Sequence, residues 1–228
     1  MIFSQILLKW YQINKRELPW RGISDPYYIW LSEIIMQQTR VEQGTPYYQA
    51  FVNKYPNVLA LANAPLDDIL KLWQGLGYYS RARNLHATAR AIVDKYKGQF
   101  PDKYEDILDL KGVGEYTASA IASMAFGLPY AVVDGNVYRL LSRVFGIATP
   151  IDSGKGKKQF RELALALLPD KDPGTYNQAV MEFGATWCKP QNPDCNQCVF
   201  SSICIAREKN KVDIWPVKAN QTLVRDRY

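Results

Sequence analysis

Histidine is almost missing from this chain. Its 228 residues include one, His86, alone on a helix face with no metal-ligand partner at helical spacing, so no role is assigned to it. Long apolar runs are missing too: the most apolar stretch, 118–133, is broken by Ser, Gly and Pro and falls short of the ~18 residues a membrane span needs. The first ten residues lack the basic segment and cleavage site of an export signal. Phe3, Ile6, Leu7, Trp10 and Tyr11 mark one face of a helix there instead. No membrane partner is expected, and the expected location is the cytoplasm. In that reducing setting four clustered cysteines read as metal ligands before disulfides. No repeat of solenoid period occurs, and the 14 Gly and 13 Pro are scattered, which excludes collagen-like and linker-like classes. With 47% apolar and 22% charged residues the chain is not disordered, and its length suits one large domain or two small ones. Acidic excess is also absent. Lys and Arg total 28 against 22 Asp and Glu, a net charge of +6, and the pI near 9.0 points mildly to a polyanionic partner. An ordinary enzyme that happens to be basic fits that charge equally well.

Periodicity is helical nearly throughout. Val137, Leu140, Leu141 and Val144 fall at i, i+3, i+4, i+7; Ala118, Ile121, Ala122 and Ala125 repeat the pattern with small residues that permit close helix contact. Prolines such as Pro26, Pro65 and Pro173 stand just ahead of new helices, as first-turn prolines do. Residues 130–133 are the one weak strand candidate. The fold expected is all-α, of about ten helices, with residues 216–228 as a linker-like tail. The lysine cluster at 154–158 reads as a solvated helix start rather than a phosphate site.

Four motifs carry candidate chemistry. Cys188-x6-Cys195-x2-Cys198-x5-Cys204 places four thiols within 17 residues. A zinc ribbon usually offers two Cys-x2-Cys knuckles and this loop has one, so the spacing favours a [4Fe–4S] cluster, with zinc, disulfides or free thiols left as alternatives. Leu110-Lys-Gly112-Val113-Gly114 reads as a hairpin between two helices; N–H groups at the next helix start can hold a phosphate, although a plain structural turn fits as well. Glu33 lies in Tyr28-Ile-Trp-Leu-Ser-Glu-Ile-Ile-Met-Gln-Gln38-Thr, apolar almost all round. A carboxyl there resists ionisation and suits proton donation, unless an unseen Arg pairs with it. Asp134 stands where a helix N-cap is expected, which alone explains it; the helix terminus would also keep it anionic. A neutral Glu33 with an anionic Asp134 makes the acid–anion pair that cleaves glycosidic bonds.

In this order, from Leu18-Pro-Trp-Arg21 through Gly75-Leu-Gly-Tyr-Tyr-Ser-Arg81 and the hairpin to the cysteine loop, these features resemble the helix-hairpin-helix superfamily of DNA base-excision glycosylases. They are most similar to the catalytic region of the adenine DNA glycosylase (MutY) family. The resemblance implies two helical lobes with a DNA-binding cleft between them: residues 23–128 with the hairpin, and 1–22 plus 129–215 with a [4Fe–4S] cluster on Cys188, Cys195, Cys198 and Cys204. It implies Glu33 as general acid toward adenine and Asp134 as the carboxylate facing the oxocarbenium-like sugar. At position 116, where strand-nicking relatives such as endonuclease III carry a Lys, this chain has Tyr116, so a monofunctional enzyme is expected. Arg21, Met36, Asn136 and Gln178 would surround the substrate, Gln38 and Tyr78 would wedge into the base stack, and Gly112, Val113 and Gly114 would meet phosphate. The implied partner is double-stranded DNA with adenine opposite 8-oxoguanine or guanine, bound by a monomer at the nucleoid. The family's 8-oxoguanine-recognition domain has no counterpart in these residues. A single-domain thymine-mismatch glycosylase and a non-catalytic DNA-structure binder are the competing readings.

Overall fold

The computed structural model describes residues 2–219. They form twelve helices: α1 (Ile2–Asn14), α2 (Pro26–Met36), α3 (Val41–Lys54), α4 (Val58–Asn63), α5 (Leu66–Leu72), α6 (Ser80–Tyr96), α7 (Tyr104–Leu108), α8 (Glu115–Phe126), α9 (Gly135–Phe145), α10 (Gly154–Leu167), α11 (Pro173–Thr186) and α12 (Ile205–Glu208). No strand occurs among the described residues, so the chain is all-α. The strand candidate at 130–133 is irregular backbone, and Val132 N–H donates instead to Asn177 Oδ1 at 3.1 Å. The helices beyond the expected ten are short ones, such as the five-residue α7 and the four-residue α12, too brief to leave a period in the sequence.

The chain divides into two compact units, Arg16–Tyr130 and the combination of Met1–Lys15 with Ala131–Tyr228. The expected borders lay at 22/23 and 128/129. Residues 16–22 group with Arg16–Tyr130, where the Trp20 ring meets Tyr48 edge-on at 5.2 Å. Tyr130 stays with it too, stacked on Tyr104 at 4.0 Å.

In the Arg16–Tyr130 unit α2 is the central helix. Asp25 caps it by accepting from Tyr27 N–H at 2.8 Å, and Pro26 at the first position has no N–H to satisfy. Seven of its eleven residues are buried, as an all-round apolar helix requires. It packs on α8, whose Ala118, Ser119, Ala120 and Ala122 are small enough for close approach. Trp30, Phe51 and Trp73 are completely enclosed in this core.

The other unit is built on α11, against which α1 and α9 pack. Trp10 meets Phe183 edge-on at 4.6 Å, Phe3 stacks on Phe200 at 4.7 Å, and Ser4 donates to the Leu167 carbonyl. Glycine at 184 lets α11 touch the start of α9: a Cβ there would lie 2.7 Å from Asn136 Cβ and O. Of the tail expected at 216–228, residues 217 and 219 are hydrogen-bonded to this unit. Arg143 Nε donates to Trp215 O at 3.0 Å, Ile151 N–H to Val217 O at 3.0 Å, and Ala219 N–H to Asp152 Oδ1 at 2.7 Å; the rest of the expected tail lies outside the described residues.

Candidate functional site

The candidate residues fall on both units. Arg16–Tyr130 carries Arg21, Glu33, Met36, Gln38, Tyr78, the hairpin glycines and Tyr116. Glu33 is half-buried on α2, a carboxyl on a helix whose neighbours Ser32, Ile34 and Ile35 are fully packed. Tyr116 is half-buried in the first turn of α8. Gln37 Nε2 reaches Thr117 Oγ1 at 3.5 Å, tying the end of α2 to the start of α8. Met36 lies on the α3 backbone at Gly44, where a Cβ would come within 2.6 Å of its sulfur. Arg21 Nη1 donates to Arg16 O at 2.7 Å.

The hairpin joins α7 to α8. Gly112 has φ +82°, a region glycine alone enters freely, and its missing side chain is filled by Asn84, whose Cβ would be 2.9 Å away. Thr88 anchors the turn by donating to Lys111 O at 2.8 Å. Val113 is buried while Gly114 is exposed, and a Cβ at Gly114 would meet nothing within 4 Å. Gly114 is also the N-cap of α8 and brings no capping side chain, so the helix start opens outward, as anion binding requires.

Gln38 and Tyr78 are both exposed, Tyr78 by 66%, and both sit in the left-handed region, at φ 54° and 45°. The side chain behind them is Arg81, 8% exposed. It donates to Ile34 O, Ile35 O, Gln37 O and Thr39 Oγ1 on one side and to Leu76 O and Gly77 O on the other. The sequence contains this arginine within a quoted motif but gives no sign of its burial.

On the other unit Asp134 caps α9. Its Oδ1 accepts from Val137 N–H and its Oδ2 from Asn136 Nδ2, both at 2.8 Å. Burial pushes the carboxyl above its ordinary range, against the opposing pull of these donors and of Arg139. The helix-start contribution foreseen from the sequence is therefore present and outweighed in direction by desolvation. Asn136 is engaged at both ends, since its Oδ1 accepts from Arg139 Nη2 at 2.7 Å. Arg139 also donates to Gly184 O at 2.6 Å and to Cys188 O at 2.8 Å. Gln178 Oε1 accepts from Tyr11 Oη at 2.9 Å.

All four cysteines line one apolar hollow with Leu140, Val144, Phe183 and Phe200. Arg143, 3% exposed, places Nη1 at 3.5 Å from Cys188 Sγ and donates to Lys189 O and Pro190 O. Phe200 N–H points at Cys198 Sγ from 3.4 Å. Burial pushes the Cys188 thiol up and Cys198 to about 11, so metal binding there must displace protons. Among the described residues no three Cys, His, Asp or Glu side chains converge tightly enough for a single metal ion. Four thiols around a common hollow, with a guanidinium and an N–H aimed at the sulfurs, are a donor set suited to an anionic metal–thiolate group. Arg139 and Arg143, four residues apart on α9, were not foreseen; their i, i+4 spacing is visible in the sequence, their loop contacts are not.

No helix of the described residues is long and apolar enough to cross a membrane. Among known proteins, the chain is 44% identical over 216 residues to the adenine DNA glycosylase of Homo sapiens, covering 91% of this chain and 40% of that protein. It is 40% identical over 218 residues to that of Buchnera aphidicola subsp. Acyrthosiphon pisum (strain APS), covering 95% and 62%. The chain therefore spans less than two thirds of these relatives. Among solved structures, a thermostable thymine-DNA glycosylase superposes with TM-score 0.84 at 33% identity, covering 91% of this chain and 96% of that one. An endonuclease III–DNA complex superposes with TM-score 0.77 at 22% identity, covering 92% and 95%, a likeness of fold. Residues 31–169 match the family described as "HhH-GPD superfamily base excision DNA repair protein", more than half of the chain, and the chain belongs to this superfamily.

Proposed function

We propose that this chain is the catalytic part of a monofunctional adenine DNA glycosylase acting on adenine opposite 8-oxoguanine or guanine in duplex DNA. Glu33 gives its proton to the adenine ring, the C1′–N9 bond breaks with its electron pair leaving on the base, water supplies the hydroxyl that ends on C1′, and the water's other proton restores the acid form of Glu33. Asp134 faces the positive charge developing on the sugar, through a transient adduct at C1′, and Asn136 and Arg139 hold its carboxylate in place. Tyr116 offers a phenol where a lyase needs an amine, so the strand is not cut. Arg21, Met36 and Gln178 contact the flipped base, Gln38 and Tyr78 fill the stack it leaves, and Gly112, Val113 and Gly114 meet a phosphate. Cys188, Cys195, Cys198 and Cys204 hold a [4Fe–4S] cluster, which staples the C-terminal loop. The protein acts as a monomer on DNA in the cytoplasm, at the nucleoid.

The observation that carries this reading is the fixed carboxyl at position 134, with both oxygens held by donors at 2.8 Å, in a chain whose relatives at 40–44% identity are named adenine DNA glycosylases. The thymine-DNA glycosylase structure favours a second reading, thymine removal from T:G pairs, because the chain spans 96% of it. Gln37-Gln38-Thr39 favours adenine. A panel of A:8-oxoguanine, A:G and T:G duplexes, each with and without alkali, separates the two. Breaks in the adenine strand that need alkali support the proposal; breaks in the thymine strand support the rival, and binding without base release on any duplex would show a non-catalytic binder. Glu33→Gln is expected to slow adenine release by roughly 10²–10⁴-fold while DNA binding persists. Undiminished release would reject the assignment of Glu33.

A further inference from the structure

We infer that Arg81 is a positioning residue for base extrusion: one guanidinium fixes the two left-handed turns from which Gln38 and Tyr78 project. The inference rests on the wedge roles proposed above and adds what makes those side chains act as a pair.

Arg81 reaches two segments that are distant in sequence. On one side lie the final carbonyls of α2 and the turn after it, Ile34 O at 3.1 Å, Ile35 O at 3.0 Å and Gln37 O, with Thr39 Oγ1 at 3.3 Å. On the other lie Leu76 O at 3.3 Å and Gly77 O at 3.4 Å. A helix leaves its last carbonyls without partners, and a cation at that end satisfies them while complementing the dipole. That accounts for Ile34 and Ile35. It does not account for Gln37 O and Gly77 O, the carbonyls of the peptides that immediately precede Gln38 and Tyr78. Those peptide planes set the direction in which each following residue leaves the chain.

Both residues stand at positive φ, 54° for Gln38 and 45° for Tyr78, a conformation that disfavours side chains carrying a Cβ. Neither is glycine. Strained, non-glycine turns persist where surrounding contacts over-determine them, and they cluster at working sites. Here the over-determining contact is the same for both turns. Arg81 Cζ also lies 5.1 Å from the Trp73 ring centroid and 5.8 Å from that of Tyr78, so the guanidinium restrains the wedge ring as well as its backbone. The clamp is 8% exposed and Tyr78 66%: a buried cation holds a protruding aromatic ready before DNA arrives. An ammonium has three donors on one nitrogen and cannot span the two segments as a planar guanidinium does.

The test uses the cluster-loaded protein and a duplex with an A:G pair, 2-aminopurine beside the adenine and a fluorescein end label. Anisotropy reports bound duplex, and 2-aminopurine emission reports unstacking. Division of the second by the first leaves out molecules that fail to fold. Arg81→Lys is expected to keep binding within about threefold, to lower the unstacking signal per bound duplex by about twofold or more, and to slow single-turnover adenine release about tenfold. Thr39→Val, which removes one acceptor of Arg81 and the hydroxyl that donates to Gln37 O at 3.3 Å, is expected to lower the same normalised signal by a smaller amount. Gln38→Ala and Tyr78→Ala are read alongside. If both alanine variants lower the signal and Arg81→Lys does not, Arg81 is only structural and the inference fails while the wedge assignment stands. If neither alanine variant lowers it, the wedge assignment fails and takes the inference with it.

Discussion

A carboxylate half-buried at a helix start serves two opposed ends, and Asp134 shows how they are balanced. The Val137 and Asn136 donors stabilise its anion, yet burial raises its pKa, so the ionised form costs the fold stability. The sign follows from linkage. A carboxyl whose folded pKa lies above its unfolded value penalises the native state fully above the folded pKa, and the penalty fades as pH falls through it. Asparagine also caps helices well and carries no charge to desolvate. The amide leaves Asn136 Nδ2 without its acceptor at every pH, but the stability of Asp134→Asn relative to the wild type should improve from pH 4 to pH 7, as thermal melts at the two values would show, while adenine release falls by roughly 10²-fold or more. A stability difference independent of pH would mean that Asp134 feels no net desolvation. Glu33, Asp134 and Tyr116 were nameable as candidates from the sequence because each stands within a recognisable motif. Arg81, Arg139 and Arg143 were not, because a buried arginine that caps carbonyls is written with the same letter as one in solvent.

At the scale of helices, the apolar period located α8 and α9 and an all-round apolar run located α2 from the sequence, and the structure adds how α8 and α9 stop. Gly127 and Gly146 end α8 and α9 in the same left-handed conformation, φ 63° and 68°. Their surroundings differ. A Cβ on Gly127 would meet nothing within 4 Å, whereas one on Gly146 would lie 2.6 Å from Ile205 Cγ2. Gly127→Ala is thus expected to cost only the backbone term, about 1–2 kcal/mol. Gly146→Ala should cost more, because Ile205 opens α12 directly after Cys204 and must move. Urea unfolding followed by circular dichroism would rank the two, and iron per chain should fall for Gly146→Ala alone. Equal costs with full iron in both would show that Ile205 yields freely. The short helices escaped the sequence for a related reason: four or five residues complete barely one turn, and their ends are set by contacts such as this one.

At the scale of the whole chain, two cores imply two responses to loss of the cluster proposed for the four cysteines. The wall of the cysteine hollow is shared by α9 and α11, through Leu140, Val144 and Phe183, and by Phe200 from the loop. Arg143 on α9 gives its donors to Lys189 O, Pro190 O and Trp215 O, which ties both ends of the chain from 188 to 215 to α9 and leaves the part between them to the loop's own closure. An emptied hollow lined by apolar side chains forfeits contacts on every face, and burial favours the neutral thiol at Cys188 and Cys198. The core around Trp30, Phe51 and Trp73 uses none of these residues. Removal of iron by chelation under reducing conditions should therefore open the Cys188–Cys204 loop to protease and strip amide-exchange protection from α9 and α11, while α2 and α8 keep theirs. Peptide-resolved hydrogen exchange on the cluster-loaded and iron-free protein measures this. Unchanged protection in α9 and α11 would mean that the loop closes without help from a metal, and the stapling role proposed for the cluster would fall. A uniform loss in α2 and α8 as well would contradict the independence of the two cores, since nothing lining the hollow belongs to the core that encloses Trp30.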